Sequence, residues 1–185
     1  YGIDLTDEAI DNVQNRLSME SLSSKFLQKS DAEKLPFDDN LFDLTYSWGV
    51  IHHSPDTEKC ISEIIRVTKP GGEIKLMVYN RRSITALRVW VKFCLLKGKF
   101  WKNLTYAMKH HVESYGTKAY TVKEMEDIFH THKNVKVKNI SPIVTWCDKK
   151  TTSKYLLVKI FYKFLIFIGG GDKVGWFMLI NAKKI

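Results

Sequence analysis

The stretch 31–72 decides the fold. It opens with Asp31-Ala32-Glu33-Lys34-Leu35-Pro36-Phe37, continues as Phe42-Asp43-Leu44-Thr45-Tyr46-Ser47-Trp48-Gly49-Val50-Ile51-His52-His53, and closes on Lys69-Pro70-Gly71-Gly72. The aromatic and β-branched run 42–47 reads as a strand, bounded by the Asp38-Asp39-Asn40 turn and by Gly49. From Asp56 the apolar residues Cys60, Ile61, Ile64 and Ile65 recur at helical spacing. That helix is expected to end at Lys69-Pro70-Gly71-Gly72, where proline forbids continuation and glycine permits a reversal. Ile74, Leu76 and Val78 then alternate as a buried strand.

Upstream, residues 1–5 read as the end of a strand. Thr6 can cap a helix with Asp7 and Glu8 in its first turn and a buried stripe of Ala9, Ile10, Val13 and Leu17. Downstream, 84–108 is helical and basic, with a break at Gly98, and a loop runs from Glu113 to Tyr120. Thr121 and Glu124 form a capping box for a helix that buries Val122, Met125, Ile128 and Phe129. Val135 and Val137 alternate with lysines in a strand running towards Trp146; a helix is expected over 153–168 and a final strand over 175–180. Strands alternating with helices predict an α/β fold whose mostly parallel sheet is covered on both faces. Right-handed crossovers then gather the carboxyl ends of the strands on one edge, where ligands of open sheets bind. Asp4, Asp31 and the run 47–53 all fall there.

The residue types at that rim suit a nucleoside ligand. The two carboxylate oxygens of Asp4 can accept from two vicinal hydroxyls, although an aspartate here is equally a solvated loop start. Asp31 can accept from an amino group while the small Ala32 lets backbone approach a ring; turn-forming is its ordinary alternative. Ser47, Trp48 and Gly49 can wall a pocket. A histidine titrating near neutrality can take a proton, so His52 and His53 are base candidates, with capping or burial as the competing role. Neighbouring helical residues point about 100° apart, so one histidine at most faces the site. Tyr79 is a candidate pocket wall and Glu113 a candidate substrate contact. The histidine spacing does not suggest a metal site.

Taken together, these motifs resemble the class I S-adenosylmethionine-dependent methyltransferases, most closely the methyltransferase type 11 group that includes the ubiquinone/menaquinone-biosynthesis enzymes. The resemblance covers residues 1 to about 80. It implies a Rossmann-like fold, S-adenosylmethionine as cofactor, Asp4 and Leu5 at the ribose, Asp31 and Ala32 at the adenine, and Ser47, Trp48 and Gly49 beside the methyl group. The pairing of 135–146 with the final strand is similar to the antiparallel hairpin that ends this fold. The family's first strand and glycine-rich loop have no counterpart here, and the chain is expected to be a fragment of a longer product. One domain is expected over 1–185, with a cofactor-binding part (1–80), a helical substrate cap (81–120) and the end of the sheet (121–185).

The net charge of +9 is unevenly spread over the 185 residues. Residues 1–80 hold 8 basic and 14 acidic residues, whereas 81–112 hold 8 basic and none acidic. The acidic first half speaks against a general nucleic-acid binder. The basic segment, with Trp90, Phe93, Phe100 and Trp101, could rest on an anionic membrane, meet a lipid-like or acidic acceptor, or bury its aromatics. Cys60, Cys94 and Cys147 lack metal-ligand or framework spacing, which points to a reducing, cytoplasmic setting. The apolar run 155–168 is interrupted by Lys159 and Lys163 and falls short of the roughly 20 residues of a spanning helix, so a soluble protein is expected. Two function classes follow: methyl transfer to a small-molecule or lipid-like acceptor, or a cofactor-dead interaction or membrane-surface module.

Overall fold

The computed structural model describes residues 1–149, 160, 163, 164 and 166–185. The order is β1 (Gly2–Asp4), α1 (Asp7–Met19), β2 (Leu27–Lys29), β3 (Phe42–Trp48), a 3-10 turn (Ile51–His53), α2 (Thr57–Val67) and β4 (Thr68–Tyr79). There follow α3 (Ile84–Phe93), a 3-10 turn (Leu95–Lys97), α4 (Leu104–His111), α5 (Val122–His130), β5 (Val135–Ile143), α6 (Trp146–Lys149), a 3-10 turn (Gly171–Val174) and β6 (Phe177–Lys184).

The strands fall into two hydrogen-bonded sets. β1 pairs with β2 in parallel, with Asp4 opposite Lys29. The second set has the order β3-β4-β6-β5, with β3 and β4 parallel and the other pairs antiparallel. The terminal hairpin is therefore present, and β6 lies between β4 and β5. The core lies where α2 and α5 cover this sheet: Ile61, Ile64, Ile74, Val78, Met125, Phe129 and Ile180 are all buried. Burial of one such side chain is worth about 1.5–3 kcal/mol, which makes the α2–β4–β6 layer the stable frame of the molecule.

Local chemistry explains most boundaries. The Thr6 side chain accepts from Ala9 N and starts α1, the Asp56 side chain accepts from Lys59 N and starts α2, and the Thr121/Glu124 capping box starts α5. α2 stops at Val67, earlier than expected, because Thr68 is extended and its hydroxyl donates back to Ile64 O. Lys69-Pro70-Gly71-Gly72 thus lies inside β4, opposite an irregular register between Phe42 and Leu44 of β3. The final strand starts at Phe177, two residues later than expected, and extends to Lys184.

The expected stripe on α1 is not buried. Val13 is 44% exposed and no residue of the helix is buried. Two strands of three residues each offer too little surface to cover a thirteen-residue helix. The helix expected over 153–168 lies largely outside the described residues. Among the described residues no helix is long and apolar enough to cross a membrane.

Candidate functional site

Asp4 and Asp31 follow adjacent strands, and Ser30 N donates to Asp4 O at 2.8 Å, tying the two loops together. One oxygen of Asp4 accepts from both the backbone and the hydroxyl of Thr6 at 2.9 Å, so the carboxylate is held at the start of α1. Asp31 forms an equivalent turn with Glu33 N at 2.8 Å. Ala32 packs against the core, while Leu5 is 66% exposed.

The loop after Asp31 is braced by contacts that sequence reading missed. Arg66 of α2 donates to the carbonyls of Phe37 and Leu35 and to Asp39 and Glu63, and Glu63 in turn accepts from Leu35 N at 2.8 Å. Glu33 accepts from the Ser54 hydroxyl and, at 2.9 Å, from Asp56 N. The Ser54 hydroxyl bond, followed by the Asp56 N–H, lowers the pKa of Glu33. Thus Glu33 fastens the Asp31 loop to the turn that carries the histidines.

At the end of β3 the Ser47 Oγ is buried without a hydrogen-bond partner, and Trp48 stands 45% exposed against Phe177. Gly49 reverses the chain at φ +73° while its N–H donates to Met77 O. The following turn sets the two histidine rings 4.3 Å apart but in different surroundings. His52 is fully buried between His53 and Tyr79, its ring 4.1 Å from that of Tyr79, and neither ring nitrogen has a partner. Burial, then the neighbouring His53, lowers its pKa to about 3, so it is neutral.

His53 faces the loop after α4. Its Nδ1 lies 3.1 Å from both Ser114 Oγ and Thr117 Oγ1, and its Nε2 lies 3.1 Å from Glu113 Oε2. The other oxygen of Glu113 accepts from Tyr79 OH at 2.7 Å. Burial, then Glu113, raises the pKa of Tyr79, which therefore stays a proton donor. Tyr79 is nearly buried and stacks on Trp176 at 4.1 Å. Glu113 sits at φ +47°, a conformation a non-glycine residue adopts only when its surroundings hold it. Those surroundings are Lys118 N donating to His52 O, Tyr120 N donating to Tyr79 O, and the Lys118 ammonium on the carbonyls of Ser54 and Pro55.

His52, His53, Tyr79 and Glu113, spread over 62 residues of sequence, therefore form one cluster. Donor atoms of His52, His53 and Glu113 lie within 4.8 Å of one another, although His53 and Glu113 already satisfy each other, Ser114, Thr117 and Tyr79 without a cation. Asp4 and Asp31 occupy the other end of the rim, joined to the cluster through Glu33 and Ser54. A cleft of about 570 Å³ between α4, the 116–120 loop and α5 shares Thr117 with the His53 site.

This geometry can be set beside known proteins. Residues 1–76 match the methyltransferase type 11 family, described as a methyltransferase domain. The methyltransferase solved with the Haloferax volcanii Trm112 activator superposes with a TM-score of 0.65 at 18% identity, covering 99% of this chain and 70% of that one. The chain has the fold of the class I methyltransferases, and its residues 1–76 are similar in sequence to the methyltransferase type 11 family. Phosphoethanolamine N-methyltransferase 2 of Caenorhabditis elegans is 37% identical over 81 residues, covering 44% of this chain and 18% of its own length. Demethylmenaquinone methyltransferase of Desulfitobacterium hafniense is 32% identical over 116 residues, covering 59% and 46%. The chain thus spans less than half the length of these curated relatives.

Proposed function

We propose that this methyltransferase chain binds the adenosine half of S-adenosylmethionine at Asp4, Asp31 and Ala32, and transfers methyl to a small-molecule or lipid-like acceptor near His53. The relatives act, by name, on phosphoethanolamine and on demethylmenaquinone, which supports a small acceptor and lends nothing to a non-catalytic reading. The fit to the cofactor rests on the rim itself. Asp4 keeps one carboxylate oxygen outside its Thr6 contacts, and Ser47 offers a buried hydroxyl lacking a partner beside Gly49. When bound, the cofactor supplies a methyl group already activated on a sulfonium.

The chain's own work is to orient the acceptor and take up its proton. The observation that carries this is the His53–Glu113–Tyr79 chain of contacts. His53 is the base rather than His52, because His52 is sealed from solvent and resists protonation. Glu113 Oε2 accepts from His53 Nε2–H and leaves the lone pair on Nδ1, beside Ser114 and Thr117, to take the proton released by the acceptor; the imidazolium so formed is stabilised by Glu113. Tyr79 donates to the same carboxylate and holds it towards His53.

Calorimetry with S-adenosylmethionine tests the cofactor site: Asp4→Ala should weaken binding about tenfold or more, the worth of charge-assisted hydrogen bonds. Glu113→Gln should lower kcat about a hundredfold on an acceptor that loses a proton, with cofactor affinity intact. Unchanged affinity in the first variant and an unchanged pH–rate profile in the second would remove those roles.

A further inference from the structure

The connection between α3 and α4 is built to display apolar side chains rather than hide them. Residues 95–101 are all exposed, and among them Leu95 is 44%, Leu96 75%, Phe100 68% and Trp101 67% accessible. This is an ordered protrusion. Gly98 closes it at φ +68°, Lys97 N and Lys99 N both donate to the carbonyl of buried Cys94, and Gly98 N donates to Leu95 O. The Trp90 indole donates to Lys102 O and ties the far side of the turn back to α3. Folding thus leaves four large apolar groups together in water, the kind of exposed patch that marks an interaction surface.

Charge identifies what that surface meets. Lys97 and Lys99 lie within the turn, and Lys92 and Lys102 flank it. Among the described residues none of the four forms an ion pair with a carboxylate, and the sequence 81–112 contains no acidic residue. Exposed aromatic and leucine side chains interleaved with lysines match the boundary of an anionic bilayer, where apolar groups lie below the headgroups and ammonium groups at the phosphates. A single-stranded nucleic acid would stack on Phe100 and Trp101 but has no use for the exposed Leu95 and Leu96, which acyl chains receive. We propose that the 95–101 turn is a membrane-docking tip that holds this chain on bilayers rich in anionic phospholipid. The proposal stands apart from the methyl-transfer chemistry, since it uses none of the rim residues.

The test is sedimentation of the protein with vesicles of phosphatidylcholine alone and of phosphatidylcholine mixed with phosphatidylserine. Binding is expected only to the mixed vesicles and should weaken with salt. Phe100→Ala/Trp101→Ala should reduce partitioning about tenfold or more through lost apolar contact, and Lys97→Gln/Lys99→Gln by a similar factor through lost charge. Far-UV circular dichroism and melting should be unchanged in both, because the side chains lie outside the core. Equal binding of the parent to both vesicles, or variants that bind like the parent, would overturn the proposal. So would retention on single-stranded RNA that is lost only in the lysine variant, or a dimer that dissociates only in the aromatic variant, if vesicle binding does not change.

Discussion

A neutral histidine sealed in a core makes a protein acid-labile in a calculable way. The His52 pKa falls from 6.5 to about 3 on folding, so between these values the unfolded chain binds a proton that the folded chain refuses. The associated stability is fully present above the unfolded value and is lost as pH falls towards the folded one. Each tenfold change in proton affinity is worth about 1.4 kcal/mol, so the whole loss is roughly 5 kcal/mol, of which about 3 kcal/mol has gone by about pH 4. Glu33, Glu63, Glu73 and Glu124 are lowered as well and lose stability on acidification in the same direction, so the parent curve alone does not isolate His52. His52→Leu does. Neither ring nitrogen has a hydrogen-bond partner, so removing them should leave stability at neutral pH equal or raise it by about 1–2 kcal/mol. Urea unfolding of parent and variant from neutral to acid pH measures both effects. The variant should show the shallower acid decline; parallel curves, or a variant that is several kcal/mol weaker at neutral pH, would refute the assignment of His52 as a dry, neutral group.

Two other expectations concern the frame. Gly71 at φ +81° has nothing within 4 Å of an added Cβ, so Gly71→Ala should cost about 1 kcal/mol of backbone strain. An added Cβ at Gly72 would meet Lys69 O at 2.9 Å and Phe42 O at 3.0 Å, so Gly72→Ala should cost more in a thermal melt; the reverse order would contradict the bulged β3–β4 pairing. Asp148 is fully buried and accepts from Thr85, Thr145 and Trp176 N, joining α3 to the start of β6; Asp148→Ala should lose about 2–4 kcal/mol in denaturant unfolding, and a loss below 1 kcal/mol would deny it that role.

What the sequence disclosed was the chemistry that acts over a few residues. Caps at Thr6 and Thr121, the break at Gly98 and the Asp31 turn are local hydrogen-bonding decisions and are visible in residue type. The stripe on α1 was misleading because periodicity reports a helix's preference for burial, whereas coverage depends on what the rest of the chain places against it. The helix α2 ended early because the Thr68 hydroxyl, a single side-chain bond, acted before Pro70 could. Tyr79, Glu113 and His53 were each recognisable as reactive types, but their union was not. It depends on Lys118 and Tyr120 pinning a loop across the sheet edge, and on a left-handed Glu113 that no residue type advertises. Arg66 was likewise hidden, since its carbonyl contacts at Leu35 and Phe37 exist only once α2 lies against that loop.

The helical segment between Tyr79 and Tyr120 is closed at its base. Tyr120 N donates to Tyr79 O, Arg81 N donates to Tyr120 O, and Asn80 is bridged to Tyr120 and hydrogen-bonded to Gly175 O. The two ends of the excursion thus meet at a fixed neck on the central strand, and whatever is threaded between them is a loop whose closure the sheet has already enforced. Such a neck makes the intervening helices an exchangeable cassette. Their length and surface can change while strands β1 to β4 keep their pairing.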